Sequence, residues 1–181
     1  MNHQPIIGVM GGGRVSDAHL ETARILGKKI AEHGWILLNG GRNAGIMAAS
    51  AKGAYEAGGL TIGILPDTTA DLTSPHIRIP VLTGMGQARN VINVLSSHVI
   101  VACAGGPGTV SEVVMALKAG RSVILLAPSA ALSTALQELR PQTAPIFTEP
   151  SVEGVISRIQ TLLGTPAAPL RALPANGHPM T

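Results

Sequence analysis

The chain has 181 residues, a length that one domain of about 100–200 residues accommodates. It is 45% hydrophobic but only 2% aromatic, so the core must be built from Ala, Val, Ile and Leu, as in buried parallel strands and close-packed helices. A net charge of +3, with thirteen Lys and Arg scattered along the chain and single Trp, Tyr and Phe residues, argues against a nucleic-acid surface with base-stacking platforms and favours a small anionic ligand.

Ile6–Met10 reads as a first strand that runs into Gly11-Gly12-Gly13-Arg14. Leu20, Ala23, Gly27, Ile30 and Ala31 then recur at helical spacing behind a cap at Ser16 or Asp17, and His33 beside Gly34 marks the helix C-terminus. Trp35–Leu38 is the second strand, feeding Asn39-Gly40-Gly41-Arg42-Asn43-Ala44-Gly45, and Thr61–Leu65 is the third. Asp67–Pro80 is rich in Thr, Asp and Pro and reads as a loop, with a short strand at Ile77–Val81 and the composition of a flap over the site. Arg89 and Asn90 fall on a helix with Val91, Ile92, Val94 and Leu95, where an exposed arginine is the ordinary expectation. That helix feeds a strand at Val99–Ala102, which runs into Gly105-Gly106-Pro107-Gly108-Thr109. Val123–Leu126 and Pro145–Phe147 are the remaining strands. Residues 1–163 are expected to form a single ligand-binding domain, and the Pro- and Ala-rich residues 164–181 a loose tail.

Strands that are apolar on both faces and alternate with helices predict an α/β fold: a Rossmann-like, doubly wound, mostly parallel sheet with helices on both faces. A lone cysteine, Cys103, excludes an internal disulfide and points to a reducing, cytoplasmic setting; its own place is that of a small buried hydrophobe. The first residues have no basic and apolar leader pattern, and no apolar run approaches the ~20 residues that span a bilayer, so no membrane association is expected. The six histidines show neither HxH nor HExxH spacing, so no protein metal site is expected.

In an open α/β sheet, ligands bind outside the carboxyl ends of the strands, near the point where strand order reverses. Three strands here end in glycine clusters. Glycine removes the Cβ that would block a phosphate and lets backbone N–H groups at a helix N-terminus face an anion. Arg14 and Arg42 lie within two of the clusters and suit bidentate binding of oxyanions. One such loop alone would read as a tight turn; three together favour a binding site. Gly11-Gly12-Gly13-Arg14-Val15-Ser16 comes close to a dinucleotide fingerprint, but the acid that would hold the ribose at the end of the second strand is missing, since that strand ends in Leu38-Asn39-Gly40. NAD is therefore not expected. Thr109-Val110-Ser111-Glu112 has the spacing of a capping box, the reading that spacing alone prefers, while a catalytic carboxylate at Glu112 is the alternative.

Gly40-Gly41-Arg42-Asn43-Ala44-Gly45-Ile46-Met47, Arg89 and Gly105-Gly106-Pro107-Gly108-Thr109-Val110-Ser111-Glu112 together resemble the LONELY GUY, or lysine decarboxylase-like, Rossmann superfamily. Its enzymes release the base from nucleoside 5'-monophosphates, and their motif Arg and Glu, matched here by Arg89 and Glu112, are catalytic. The chain departs from that pattern at Arg42, Ala48, Asn90 and Ala104, and with Thr83-Gly84-Met85-Gly86-Gln87-Ala88-Arg89-Asn90-Val91-Ile92-Asn93 it looks more like the branch of molybdenum cofactor carrier proteins. The resemblance implies a carrier that binds, protects and hands over the cofactor as cargo, with molybdenum-cofactor-dependent enzymes as recipients, rather than an enzyme. A phosphoribohydrolase acting on AMP or cytokinin nucleotides is the alternative, with Arg89 and Glu112 as its catalytic pair. The cofactor presents a phosphate, a molybdate-bearing dithiolene and a flat polar pterin, so the implied binding residues are Gly11, Gly12, Gly13, Arg14, Gly40, Gly41, Arg42, Gly45, Met47, Arg89, Asn90, Gly105, Gly106, Gly108, Thr109 and Glu112. The resemblance also implies a homodimer or homotetramer, through the helix around Val91–Leu95.

Overall fold

The computed structural model describes residues 4–139 and 144–164. Its strands are β1 (Ile6–Met10), β2 (Ile36–Asn39), β3 (Thr61–Leu65), β4 (Ile79–Leu82), β5 (Val99–Ala102), β6 (Ser122–Leu126) and β7 (Ile146–Glu149). Between and after them run the helices α1 (Asp17–Glu32), α2 (Gly45–Glu56), α3 (Asn90–Ser96), α4 (Pro107–Lys118), α5 (Ala130–Leu139) and α6 (Val152–Gly164). The strands form one sheet in the order β4-β3-β2-β1-β5-β6-β7. Every neighbouring pair is parallel. Among the described residues, no helix is long and apolar enough to cross a membrane.

Side chains alternate across a strand, and here both sides are covered, which is why the central strands are apolar throughout. Ile7, Leu37, Val99, Val101, Ile124 and Leu126 point to one face and pack with α1, α2 and α6. Met10, Ile100, Ala102, Val123, Leu125 and Ile146 point to the other and pack with α3, α4 and α5. The helices α1 and α2 lie unusually close, because a Cβ at Gly27 would strike the Ser50 carbonyl and one at Gly53 the Arg24 carbonyl. This explains a glycine within the apolar stripe of α1.

The predicted strands appear with small shifts of boundary. Trp35 precedes β2 and Asn39 closes it; the strand expected at Ile77–Val81 is Ile79–Leu82, and the one expected at Pro145–Phe147 is Ile146–Glu149. Every residue of β4 is exposed, as suits an edge strand that carries a proline, Pro80. Ser16 takes the N-cap position of α1 but makes no side-chain cap, its Oγ lying 2.9 Å from His19 Nδ1. His33 closes α1 as expected, its Nδ1 2.8 Å from the Lys29 carbonyl. Gly164, where the tail was expected to begin, is the last residue of α6; residues 165–181 lie outside the described residues.

The chain runs from β1 outward through β2 and β3 to β4, then returns through α3 to place β5 on the other side of β1. The reversal opens a crevice between the carboxyl ends of β1 and β5.

Candidate functional site

A cleft of about 320 Å³ occupies that crevice. Three glycine loops form its floor and walls, and hydrogen bonds tie them together. Gly12 N donates to the Ala104 carbonyl (2.9 Å), Cys103 N to the Met10 carbonyl (2.8 Å), and Ile46 N to the Gly12 carbonyl (3.0 Å). Within the second loop, Asn39 Oδ1 accepts from Gly41 N at 2.8 Å, while its Nδ2 donates to the Met47 carbonyl at 2.9 Å and to Ser50 Oγ at 3.1 Å. The residue standing where a dinucleotide-binding protein places its ribose acid is thus fully buried and committed to holding its own loop.

Of the residues singled out in the sequence, Gly11, Gly12, Gly13, Gly40, Arg42, Met47, Arg89, Asn90, Gly106, Gly108, Thr109 and Glu112 line the cleft. Gly41, Gly45 and Gly105 do not; they are needed for packing. A Cβ on Gly41 would press on Gly63 at 3.0 Å, one on Gly105 would strike the Thr109 side chain, and Gly45 has a φ of +50° with the Gly12 carbonyl against it. Arg14 is exposed and lies outside the cleft lining. Gln87 also lines the cleft, and Asp67 and Asn93 hydrogen-bond to its lining residues Arg42 and Glu112; none of the three was picked out from the sequence. Asn93 had a readable signal, since it stands four residues beyond Arg89 on the same helical face.

Thr109 and Glu112 do not form the expected capping box. Pro107 occupies the first turn, so α4 begins there and Gly106 is the N-cap, with no side-chain cap bond. Thr109 is then two residues inside the helix. The first intrahelical bond runs from Val110 N to the Gly106 carbonyl, which leaves the Gly108 and Thr109 N–H groups at the open end of α4 beside the cleft.

Arg89, expected to be exposed, is only 8% exposed. It ends a 3₁₀ turn, Gly86–Arg89, and the α-helix begins at Asn90, so the arginine is carried inward over the second glycine loop. A Cβ on Gly40 would lie 2.6 Å from Nη1 and Nη2, so this glycine makes room for the guanidinium. Glu112 Oε1 lies 3.8 Å from Arg89 Nη1 and accepts a 2.9 Å hydrogen bond from Asn93 Nδ2. Among the described residues, Nε and Nη1 of Arg89 have no hydrogen-bond partner, nor do Oδ1 of Asn90 and of Asn93.

Burial pushes Arg89 below its ordinary value, opposed by the Glu112 carboxylate, yet a guanidinium keeps its charge. Burial also pushes the Glu112 carboxyl up, against the Asn93 hydrogen bond and the Arg89 charge. The cleft therefore holds a buried cation whose nearest carboxylate is harder to ionise than usual and, at 3.8 Å, too distant to hydrogen-bond, which is the electrostatic setting for an incoming oxyanion. Cys103 is partly buried, and desolvation pushes its thiol up to about 12, so it is unreactive.

Arg42 Nη2 donates to both Asp67 oxygens, at 2.8 Å and 2.9 Å. The 67–74 segment is also tied to this loop by Asn43 N to the Leu72 carbonyl and Ser74 N to the Gly41 carbonyl, both 2.9 Å. Asp67 thus competes with any ligand anion for Arg42. The pair is partly solvated, so Asp67→Asn is expected to lower stability by only about 0.5–1 kcal/mol. The same change is expected to tighten inorganic phosphate binding several-fold, as thermal melts and a calorimetric titration would show.

Residues 4–156 match the SLOG cluster4 family. The chain belongs to this family. The molybdenum cofactor binding protein of the phototrophic bacterium Rippkaea orientalis superposes with a TM-score of 0.85 at 43% identity, covering 89% of this chain and 98% of that one. The molybdenum cofactor carrier protein of Chlamydomonas reinhardtii gives 0.84 at 44% identity, covering 90% and 99%. A protein of Archaeoglobus fulgidus described as uncharacterised is 46% identical over 122 residues, 67% of this chain and 80% of its own length. These likenesses agree with the motif resemblance to the molybdenum cofactor carrier branch.

Proposed function

We propose that this SLOG cluster4 protein binds molybdenum cofactor in the cleft at the β1–β5 crevice, shields it and passes it to apo-enzymes. One observation carries the reading: the buried Arg89, with Nε and Nη1 unpaired, faces a cleft floored by glycine loops, in a chain with 43% and 44% identity to two proteins named for binding or carrying that cofactor. The residues present fit the cargo. The glycine loops and the N-terminus of α4 suit its phosphate, Arg89 and Arg42 suit oxyanions, and the unpaired Asn90 carbonyl oxygen suits an N–H group of a pterin. The metal stays on the dithiolene of the cargo and needs no protein ligand.

Arg89 and Glu112 in one cleft are also what the phosphoribohydrolase alternative requires, and one substitution separates the two. An anion next to Arg89 disfavours ionised Glu112, so binding takes up a proton there. Affinity for inorganic phosphate is expected to fall as pH rises through the Glu112 ionisation, which burial has moved above the ordinary carboxylate value. Glu112→Gln is expected to remove that part of the pH dependence and tighten binding at neutral pH by about 1 kcal/mol, roughly fivefold. The protein is expected to release no adenine from AMP. Adenine release that Glu112→Gln abolishes would favour the hydrolase.

The same proposal includes cytoplasmic residence and a homodimer or homotetramer. Val91 and Leu95 on α3 and Val114 on α4 are exposed on neighbouring helices beside the cleft, and they form the proposed contact. Light scattering on the wild type and on Leu95→Ser is expected to show an oligomer weakened by the substitution.

A further inference from the structure

We propose that the apolar cavity on the far side of the 103–109 loop is a second binding site, which takes a neutral, largely apolar molecule of one or two rings independently of the anion cleft. The cavity measures about 330 Å³ and lies at the carboxyl ends of β5 and β6, between α4 and α5. Protein interiors have few voids larger than a water molecule, whereas small-molecule sites begin at about 300 Å³. A largely apolar ligand of matching shape gains dispersion contacts along this lining and removes its apolar surface from water.

The lining sets the chemical class. Val110, Val113, Leu125, Leu132 and Leu136 line it with Leu126, Ala102 and Pro128, and among the described residues no Asp, Glu, Lys or Arg contributes to it. Two of its polar side chains are engaged: Ser129 Oγ accepts from Leu132 N at 3.3 Å, and His19 Nδ1 lies 2.9 Å from Ser16 Oγ. A charged ligand would find no counter-charge among the described lining residues, whereas a neutral one needs none. The desolvated Cys103 thiol at the edge of the cavity reports the same environment.

Two further features mark the cavity as built. Ala127, in its wall, has a φ of +46° and is the one non-glycine residue with positive φ among the described residues. That conformation costs about 1–3 kcal/mol and is held by the 2.8 Å bond from Ala127 N to the Glu149 carbonyl. Among the described residues, Thr109 is the only one that the cavity shares with the anion cleft, and the missing Cβ of Gly105 lets its side chain fill the partition between them. The two spaces are therefore separate sites, and the second does not depend on the identity of the cargo.

The test uses 6-propionyl-2-(dimethylamino)naphthalene, a neutral two-ring fluorophore that brightens on leaving water, titrated into the full chain. Saturable binding of one probe per chain is expected. Leu132→Trp and Val110→Phe, which fill the cavity from two sides, are each expected to weaken it at least tenfold. Saturating inorganic phosphate, Arg89→Ala and Leu95→Ser are expected to change it less than twofold. Absent or non-saturable binding overturns the proposal, as does displacement by phosphate, loss in Leu95→Ser, or unchanged affinity in both filling variants when circular dichroism shows them folded. If neither filling variant folds, methyl NMR of the wild type decides: probe-induced shifts centred on Val110, Val113, Leu125, Leu132 and Leu136 support the site, and shifts centred elsewhere refute it.

Discussion

Replacing Arg89 by Ala is expected to weaken binding of inorganic phosphate or molybdate by about 100-fold. Two of its guanidinium nitrogens, Nε and Nη1, are buried without a hydrogen-bond partner among the described residues, and an oxyanion in the cleft can accept two hydrogen bonds along one edge of the fork, from Nη2 together with either of them. Hydrogen bonds to charged groups contribute about 1.5–3 kcal/mol each, so losing the pair at the low end removes roughly 3 kcal/mol, about two orders of magnitude in affinity. The fold is expected to tolerate the change. Glu112 sits 3.8 Å from Nη1, keeps its Asn93 hydrogen bond, and can take up a proton once the cation is gone. Arg89→Lys keeps the charge without the planar fork and is expected to recover only part of the affinity. Isothermal titration of the three proteins checks this; equal affinities for wild type and Arg89→Ala would place the anion elsewhere.

Gly45→Ala is expected to produce the largest loss of stability near the site. The residue has a φ of +50°, and a Cβ would strike the Gly12 carbonyl and come within 2.7 Å of Gly13 backbone atoms. The left-handed conformation costs a non-glycine residue about 1–2 kcal/mol and overpacking against backbone about 1–3 kcal/mol more. A total of about 3 kcal/mol corresponds to a fall in Tm of roughly 6–12 °C for a chain of this size. The damage reaches the cleft, because the Gly12 carbonyl also accepts from Ile46 N and so joins the first glycine loop to α2. Thermal melts and phosphate titration should fall together. A full-strength site in Gly45→Ala would show that the two loops need not touch.

The parts of this molecule written in local pattern were readable in advance. Ile100 and Val101 are both apolar because each faces a different helical layer, and that doubly buried pattern announces a parallel sheet. Glycines after β1, β2 and β5 mark loops at one edge for the same reason. What depended on distant partners was not readable. Thr109 and Glu112 have capping-box spacing, but Pro107 starts α4 ahead of them and frees the carboxylate to meet Asn93. Arg89 looks like an ordinary helical surface residue until the sheet brings Gly40, some fifty positions earlier in the chain, beneath its guanidinium. Asp67 gains its role only when the turn after β3 arrives beside Arg42. Arg14 erred the other way, since it sits inside a glycine loop yet turns to solvent.

The central claim is that the cleft around Arg89 carries molybdenum cofactor as cargo, and retention of that cofactor tests it most directly. The purified chain is mixed under anaerobic conditions with cofactor released from a molybdenum-cofactor-dependent enzyme and separated by gel filtration. Pterin fluorescence after oxidation and the molybdenum content are then measured in the protein peak. The account predicts saturable retention approaching one pterin and one molybdenum per chain for the wild type, with loss of most of both in Arg89→Ala. No retained pterin in the wild type, together with adenine released from AMP, would contradict it.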